Sequence, residues 1–176
     1  MSMGGMKRAG WKTGGVMLAV VLIALSLRDT SAPVAAFAEG DVAAPLVVVW
    51  GLQTDMAHWK DWNPDIATMQ VDGPLQPGTR FVWEAGGMTI RSTLTEVLPG
   101  QRIAWRGETF GIDAVHVWEF SERGGVTHVA THETFTGPLA WLFPGTLRSV
   151  LADALTHGVA VLKQAAESAH PAESHG

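Results

Sequence analysis

Polar and apolar positions change their period along this chain. Between residues 66 and 137 they alternate in short runs: IATMQVDG (66–73), TRFVWEA (79–85), MTIRSTLTEVL (88–98), RIAWRGET (102–109), IDAVHVWEF (112–120) and GVTHVATHETFTG (125–137). A period of two puts successive side chains on opposite faces of a strand. The breaks PLQPG, GG, PGQ, FG and SERGG are turn chemistry at hairpin spacing. Six consecutive hairpin-linked strands make an antiparallel meander.

Ahead of the meander, VAAFAEGDV (34–42) predicts a strand and AAP a turn. LVVVWGLQTD (46–55) predicts a short helix with Pro45 at its start. MAHWKDWNP then predicts a second short helix or turn, stopped by Pro64. After the meander the period becomes helical. TLRSVLADALTHGVAVLKQAAES (146–168) places Leu147, Val150, Leu151, Ala154, Leu155, Val161 and Leu162 on one stripe. Pro144-Gly145 separates this helix from the short apolar segment PLAWLF (138–143). The predicted class is α+β: one curved antiparallel sheet of about seven strands, with the long helix as the only large element able to cover it.

Strand parity assigns an inner face. Glu84 facing water turns Phe81 and Trp83 inward. Arg102 and Arg106 outward, with Ala104, turn Ile103 and Trp105 inward. Glu119 outward, with Val115 and Val117, turns His116, Trp118 and Phe120 inward. Ile90, Ser92 and Leu94 share the face opposite Arg91. On the last strand Thr131, Glu133 and Phe135 oppose His132 and Thr134, and the Phe135 face is read as inward. With Leu151 and Leu155 from the helix these residues would line a chamber that is apolar apart from Ser92, His116, Thr131 and Glu133. Such a lining suits a small-molecule pocket. The alternative is an interior filled by its own Trp and Phe side chains.

Within the chamber His116 is the acid/base candidate, with Glu133 able to orient or partner it. The plain alternative is a buried His satisfied by one hydrogen bond. His128 and His132 are four residues apart on a strand, which separates them by roughly 13 Å, too far to chelate one metal. No metal site is expected. His58, His157, His170 and His175 read as surface or helix residues. No Gly-rich phosphate loop and no G-x-S-x-G elbow is present; the Gly pairs at 86–87 and 124–125 are hairpin turns.

Composition adds bounds. A chain of 176 residues with 47% hydrophobic content fits one domain with an ample core. The absence of cysteine excludes disulfides, thiolate metal sites and a thiol nucleophile. Residues 34–169 carry 8 Lys/Arg against 15 Asp/Glu, a balance of −7 with no basic patch, so no nucleic-acid partner is expected. Residues 1–30 form a separate object. Lys7, Arg8 and Lys12 precede GGVMLAVVLIALSL (14–27), the pattern of a secretory signal or membrane anchor. At ~1.5 Å per residue the run spans roughly 21 Å, short of a ~30 Å hydrocarbon core. The expectation is a membrane-anchored or exported protein, associated with the membrane through residues 14–27; the alternative is a cytoplasmic product from a downstream start. Cleavage at Ala36-Phe37-Ala38 would remove part of the first strand. Residues 170–176 form a polar tail.

The motifs APLVVVWGLQTDMAHWKDWNPD, GPLQPGTRFVWEAGG, TEVLPGQRIAWRG, AVHVWEF and THETFTG, followed by the terminal helix, resemble the SRPBCC (START-like) superfamily over roughly residues 34–168. Its polyketide cyclase/dehydrase and lipid-transport branch is the most similar. Leu46-Val47 and Gln53 depart slightly from that branch's usual A-P-x-x-V-W-x-x-L-T-D pattern. The resemblance implies a helix-grip fold in which the two short helices support one end of the long helix, with Trp59 and Trp62 anchoring the seam and Asn63-Pro64 turning the chain into the second strand. No cofactor is expected. For function the resemblance leaves three options, because the superfamily hosts all of them. The first is a carrier of a hydrophobic small molecule or lipid. The second is a cyclase- or dehydratase-type enzyme using His116. The third is a non-catalytic interaction module.

Overall fold

A computed structural model describes residues 34–171. The expected signal or anchor segment, and most of the polar tail, lie outside the described residues. The elements are β1 (Val34–Val42), α1 (Leu46–Thr54), a 3-10 turn (Met56–His58), α2 (Trp59–Trp62), β2 (Ile66–Asp72), β3 (Arg80–Ala85), β4 (Met88–Leu98), β5 (Arg102–Thr109), β6 (Ile112–Arg123), β7 (Val126–Thr136), α3 (Pro138–Leu142) and α4 (Pro144–Ala169). The sheet has seven antiparallel strands in the order β1-β7-β6-β5-β4-β3-β2. It is the helix-grip arrangement expected from the strand and helix patterning.

Three hairpins close on two-residue turns, Gly86-Gly87, Phe110-Gly111 and Gly124-Gly125, with φ positive at both positions of each. This is the twist that antiparallel strands prefer, and glycine supplies it without steric cost. Phe110 is the exception, at φ 42°. Register shifts between Ile66 and Thr68 and between Leu94 and Glu96 break strict pairing and bend the sheet into a grip.

Leu151, Leu155, Val159, Leu162 and Ala166 form the buried stripe of α4 and join the core cluster beneath the sheet. Gly40 lets β1 and α4 approach closely, since a Cβ there would meet Val159 Cγ1 at 3.0 Å. The far end of the helix is tied to β1 by polar contacts: Lys163 Nζ donates to the Asp41 carbonyl at 2.6 Å, and Glu167 Oε1 accepts from Ala43 N–H at 2.8 Å.

Several expectations need correction. Val150 is 57% exposed although its neighbour Leu151 is 2% exposed, because one residue is about 100° around a helix and Val150 lies off the buried stripe. Pro144-Gly145 does not separate two segments: Pro144 takes the first helical position of α4, where its missing N–H costs nothing. PLAWL is itself the short helix α3. Ser121-Glu122-Arg123 belong to β6, held in register by Val126–His128, so the turn is only Gly124-Gly125. Ala104 and Val117 sit opposite each other on the outer face yet are buried at 4% and 3% exposure, apart from the core cluster. Small side chains between longer same-face neighbours such as Arg102, Arg106 and Glu119 are covered without pointing inward.

Candidate functional site

The residues that close one end of the grip come from the stretch HWKDWNPD. Trp59 Nε1–H donates to the Gln53 carbonyl at 3.0 Å and pins α2 to the end of α1. Asn63 Oδ1 accepts from Asp65 N–H at 3.0 Å, a local turn that delivers the chain into β2. Against this corner the inner face of the sheet brings its aromatics. Trp59 meets Trp83 at 6.3 Å and 87°, and Trp105 at 5.6 Å. Trp105 lies 4.6 Å from the His116 ring, which stacks on Trp118 at 5.6 Å.

These side chains leave a cavity of ≈180 Å³ between sheet and helix. Its walls are Trp59, Trp62, Trp83, Trp105 and Trp118, with Gln53, Ile66 and Ala85. His116 and Glu133 enter from β6 and β7, and Ala154, Leu155 and Gly158 close it from α4. Asn63 and Asp65 complete the lining; Asp65 is exposed and reaches across to His157 on α4, Oδ2 to Nε2 3.2 Å. The entrance therefore lies between the α2–β2 link and the middle of α4.

The polar heart of the cavity is a cross-strand set fixed by register: His116 pairs with Glu133, and Trp118 with Thr131. Thr131 Oγ1 donates to the Val117 carbonyl at 3.0 Å, so its hydrogen is committed. It must then accept from His116 Nε2, 2.8 Å away. That assigns the proton to Nε2 and leaves the Nδ1 lone pair facing Glu133 Oε2 at 3.5 Å. Both side chains are nearly enclosed, at 12% and 15% exposure. Burial pushes His116 down to about 3, with the nearby His132 charge adding to it, and burial pushes Glu133 up to about 8. The close approach alone would also suit an ion pair. The neutral pairing of carboxylic acid with imidazole is the one that burial favours, since no further charge stabilises the ionised forms.

Most indole N–H groups are unavailable to the cavity. Those of Trp59 and Trp83 are bonded, to Gln53 O and Ser92 Oγ. Those of Trp62 and Trp118 are enclosed without a partner. The walls thus offer mainly ring carbon.

Of the residues singled out from parity, Trp83, Trp105, His116, Trp118, Glu133 and Leu155 line the cavity. Phe81, Leu94, Ile103, Phe120 and Leu151 are core instead, with Phe135 half-buried against them. Ser92 and Thr131 are buried and act as hydrogen-bond partners, and half-buried Ile90 packs near Gly107. Parity missed Gln53, Asn63, Asp65, Ile66, Ala85 and Gly158, because it says which way a strand residue faces and nothing about which end of the sheet stays open. Trp59 and Trp62 were expected as seam anchors; they are also wall. Among the described residues no group of three or more His, Asp or Glu is placed to hold a metal ion, and no helix is long and apolar enough to cross a membrane.

The model of the family described as polyketide cyclase/dehydrase and lipid transport matches residues 36–167. No curated protein matches the chain. Among solved structures, a START superfamily protein from Mycobacterium smegmatis superposes with a TM-score of 0.68 at 12% identity, covering 77% of this chain and 98% of that one. The ZhuI aromatase/cyclase from a Streptomyces species gives a TM-score of 0.66 at 17% identity, covering 81% of this chain and 99% of that one. TTHA0849 from Thermus thermophilus gives 0.65 at 19% identity, covering 77% and 99%. At these identities the likeness is one of fold.

Proposed function

Because the chain belongs to the polyketide cyclase/dehydrase and lipid transport family, we propose that it binds a small, mainly apolar molecule in the cavity between its sheet and α4. The observation that carries this reading is the ≈180 Å³ hollow walled by five tryptophans around the His116–Glu133 pair. Its size bounds the ligand. A dry cavity of ~150 Å³ takes up benzene, whereas drug-sized ligands occupy ~300 Å³ or more. The buried part of the ligand is thus about one ring or one short branched chain, and a longer ligand would have to extend through the entrance beside Asp65. That favours a small-molecule binder over a holder of whole lipid chains.

An enzymatic role is the second reading, favoured by one observation: His116 Nδ1 and a carboxyl held neutral by burial face the same hollow. Such a pair can donate and accept a proton at one substrate carbon or oxygen, as a dehydratase requires.

The test uses the full-length protein. Organic extraction and mass spectrometry should recover a bound small apolar compound, and titration with benzene or phenol should change the tryptophan fluorescence. Saturable changes support the cavity reading; no extract and no response to either probe refute it. For the enzymatic reading, turnover of the recovered compound should vanish in His116→Ala.

A further inference from the structure

The electrostatic character of the wall narrows the ligand further. None of the lining residues is Lys or Arg. The carboxyl groups are two, Glu133 at the base and Asp65 at the entrance. His116 spends its Nε2–H on Thr131 and offers a lone pair at Nδ1. Trp59 and Trp83, with their N–H groups engaged elsewhere, meet at 6.3 Å and 87° and form a corner of ring surfaces. Indole faces carry negative potential and attract a cation within about 6 Å of the ring centre. An anionic ligand would meet no cationic side chain, and it would keep Glu133 from ionising; the neutral polar groups left are the amides of Gln53 and Asn63 and the indole N–H of Trp105.

We propose that the cavity selects an organic cation of the alkylammonium type, held by the indole walls and by Glu133 as counter-charge. The proposal rests on the cavity reading above and names its ligand class. A trimethylammonium head on a short arm is comparable in bulk to the single ring that the hollow admits. The same arrangement gives Glu133 what it lacks. The titratable group facing it inside the cavity is His116 from β6; β1 opposes it with Ala36, α4 lines the hollow with Ala154, Leu155 and Gly158, and His132 lies behind the sheet. His157 is turned to Asp65 at the entrance. With no resident cation, burial keeps the Glu133 carboxyl protonated up to about pH 8. A bound cation would displace that proton. Cation and proton then compete, and cation affinity falls tenfold per pH unit below about 8.

The experiment compares three probes of one shape on the full-length protein, by calorimetry and tryptophan fluorescence. They are choline, its uncharged isostere with carbon in place of the quaternary nitrogen, and the tert-butylacetate anion. Above pH 8, choline is expected to bind at least tenfold more tightly than the isostere, with the anion weakest. From pH 8 to pH 6, choline should weaken about fiftyfold, because half of Glu133 is ionised at its own pKa and about a hundredth two units below it, while the isostere stays constant. In Glu133→Gln, choline should lose its pH dependence and at least tenfold in affinity, with isostere binding kept as proof of an intact pocket. Equal affinity for choline and isostere, preference for the anion, or pH-independent choline binding each overturns the cation proposal and leaves the cavity reading standing. Failure of all three probes with a retained response to phenol overturns the cation proposal alone; failure of all three and of phenol overturns both.

Discussion

His116 Nε2 and Thr131 Oγ1 lie 2.8 Å apart, and the threonine hydroxyl can only be the acceptor, because it already donates to the Val117 carbonyl. This contact sets the imidazole tautomer and so the chemistry that the cavity offers. Thr131→Val keeps the shape and removes the acceptor, leaving the buried imidazole N–H of His116 unpaired. It should cost about 1–3 kcal/mol in denaturant unfolding. Thr131→Ser should recover most of that loss. A valine variant as stable as the parent would show that the hydroxyl does not satisfy the histidine.

The opposite shifts of His116 and Glu133 predict an unusual stability profile. Glu133 rises from 4.5 to about 8, so its contribution is complete below pH 4.5 and is lost as pH climbs to about 8. His116 falls from 6.5 to about 3, so its contribution is present above pH 6.5 and is lost on acidification to about 3. Between 4.5 and 6.5 the two slopes cancel. Stability should thus be flat there and decline from 6.5 to 8 by up to about 1.4 kcal/mol per pH unit. Unfolding midpoints across this range, in the parent and in Glu133→Gln, check the sign: the decline should disappear in the variant.

Gly158 separates stability from binding. A Cβ there would sit 3.8 Å from the Trp118 ring, an ordinary contact at the cavity wall. Gly158→Ala should stabilise α4 by about 0.5–1 kcal/mol, since glycine is the poorer helix former, and at the same time weaken ligand binding. Gly158→Leu should fill the hollow and abolish the fluorescence response to phenol. A leucine variant that folds and still binds would place the ligand elsewhere.

Gly137 joins β7 to α3 at φ 99°, with its Cα facing the Gly111 carbonyl oxygen. Any side chain would collide with that oxygen and sit in a backbone region (ψ 174°) essentially confined to glycine, at a cost of about 1–3 kcal/mol. Gly137→Ala should lower the thermal midpoint by several degrees. Gly111→Ala places its Cβ in open space but at φ 74°, so it should cost only the backbone strain.

Period and punctuation settled the strand count, the positions of the paired-glycine turns and the existence of the terminal helix, though not where β6 ends or α4 begins, because alternation, paired glycines and helical spacing are local properties of the chain. Parity also turned Trp83, Trp105, His116, Trp118 and Glu133 to one face, since a strand has only two. Three things depended on the tertiary structure. Val150 is exposed because which side of an apolar helix stripe meets the sheet is a matter of docking. Trp59 and Trp62 became cavity wall, and Phe81 and Ile103 became filled core, because the α2–β2 link closes one end of the grip and leaves room only there. Finally, His116 and Glu133 stand on neighbouring strands, and only their cross-strand register, with Thr131 beside them, makes one buried proton-bearing pair of two separate residues. Contacts between distant segments are set by how all the elements pack at once, and no local pattern carries that information.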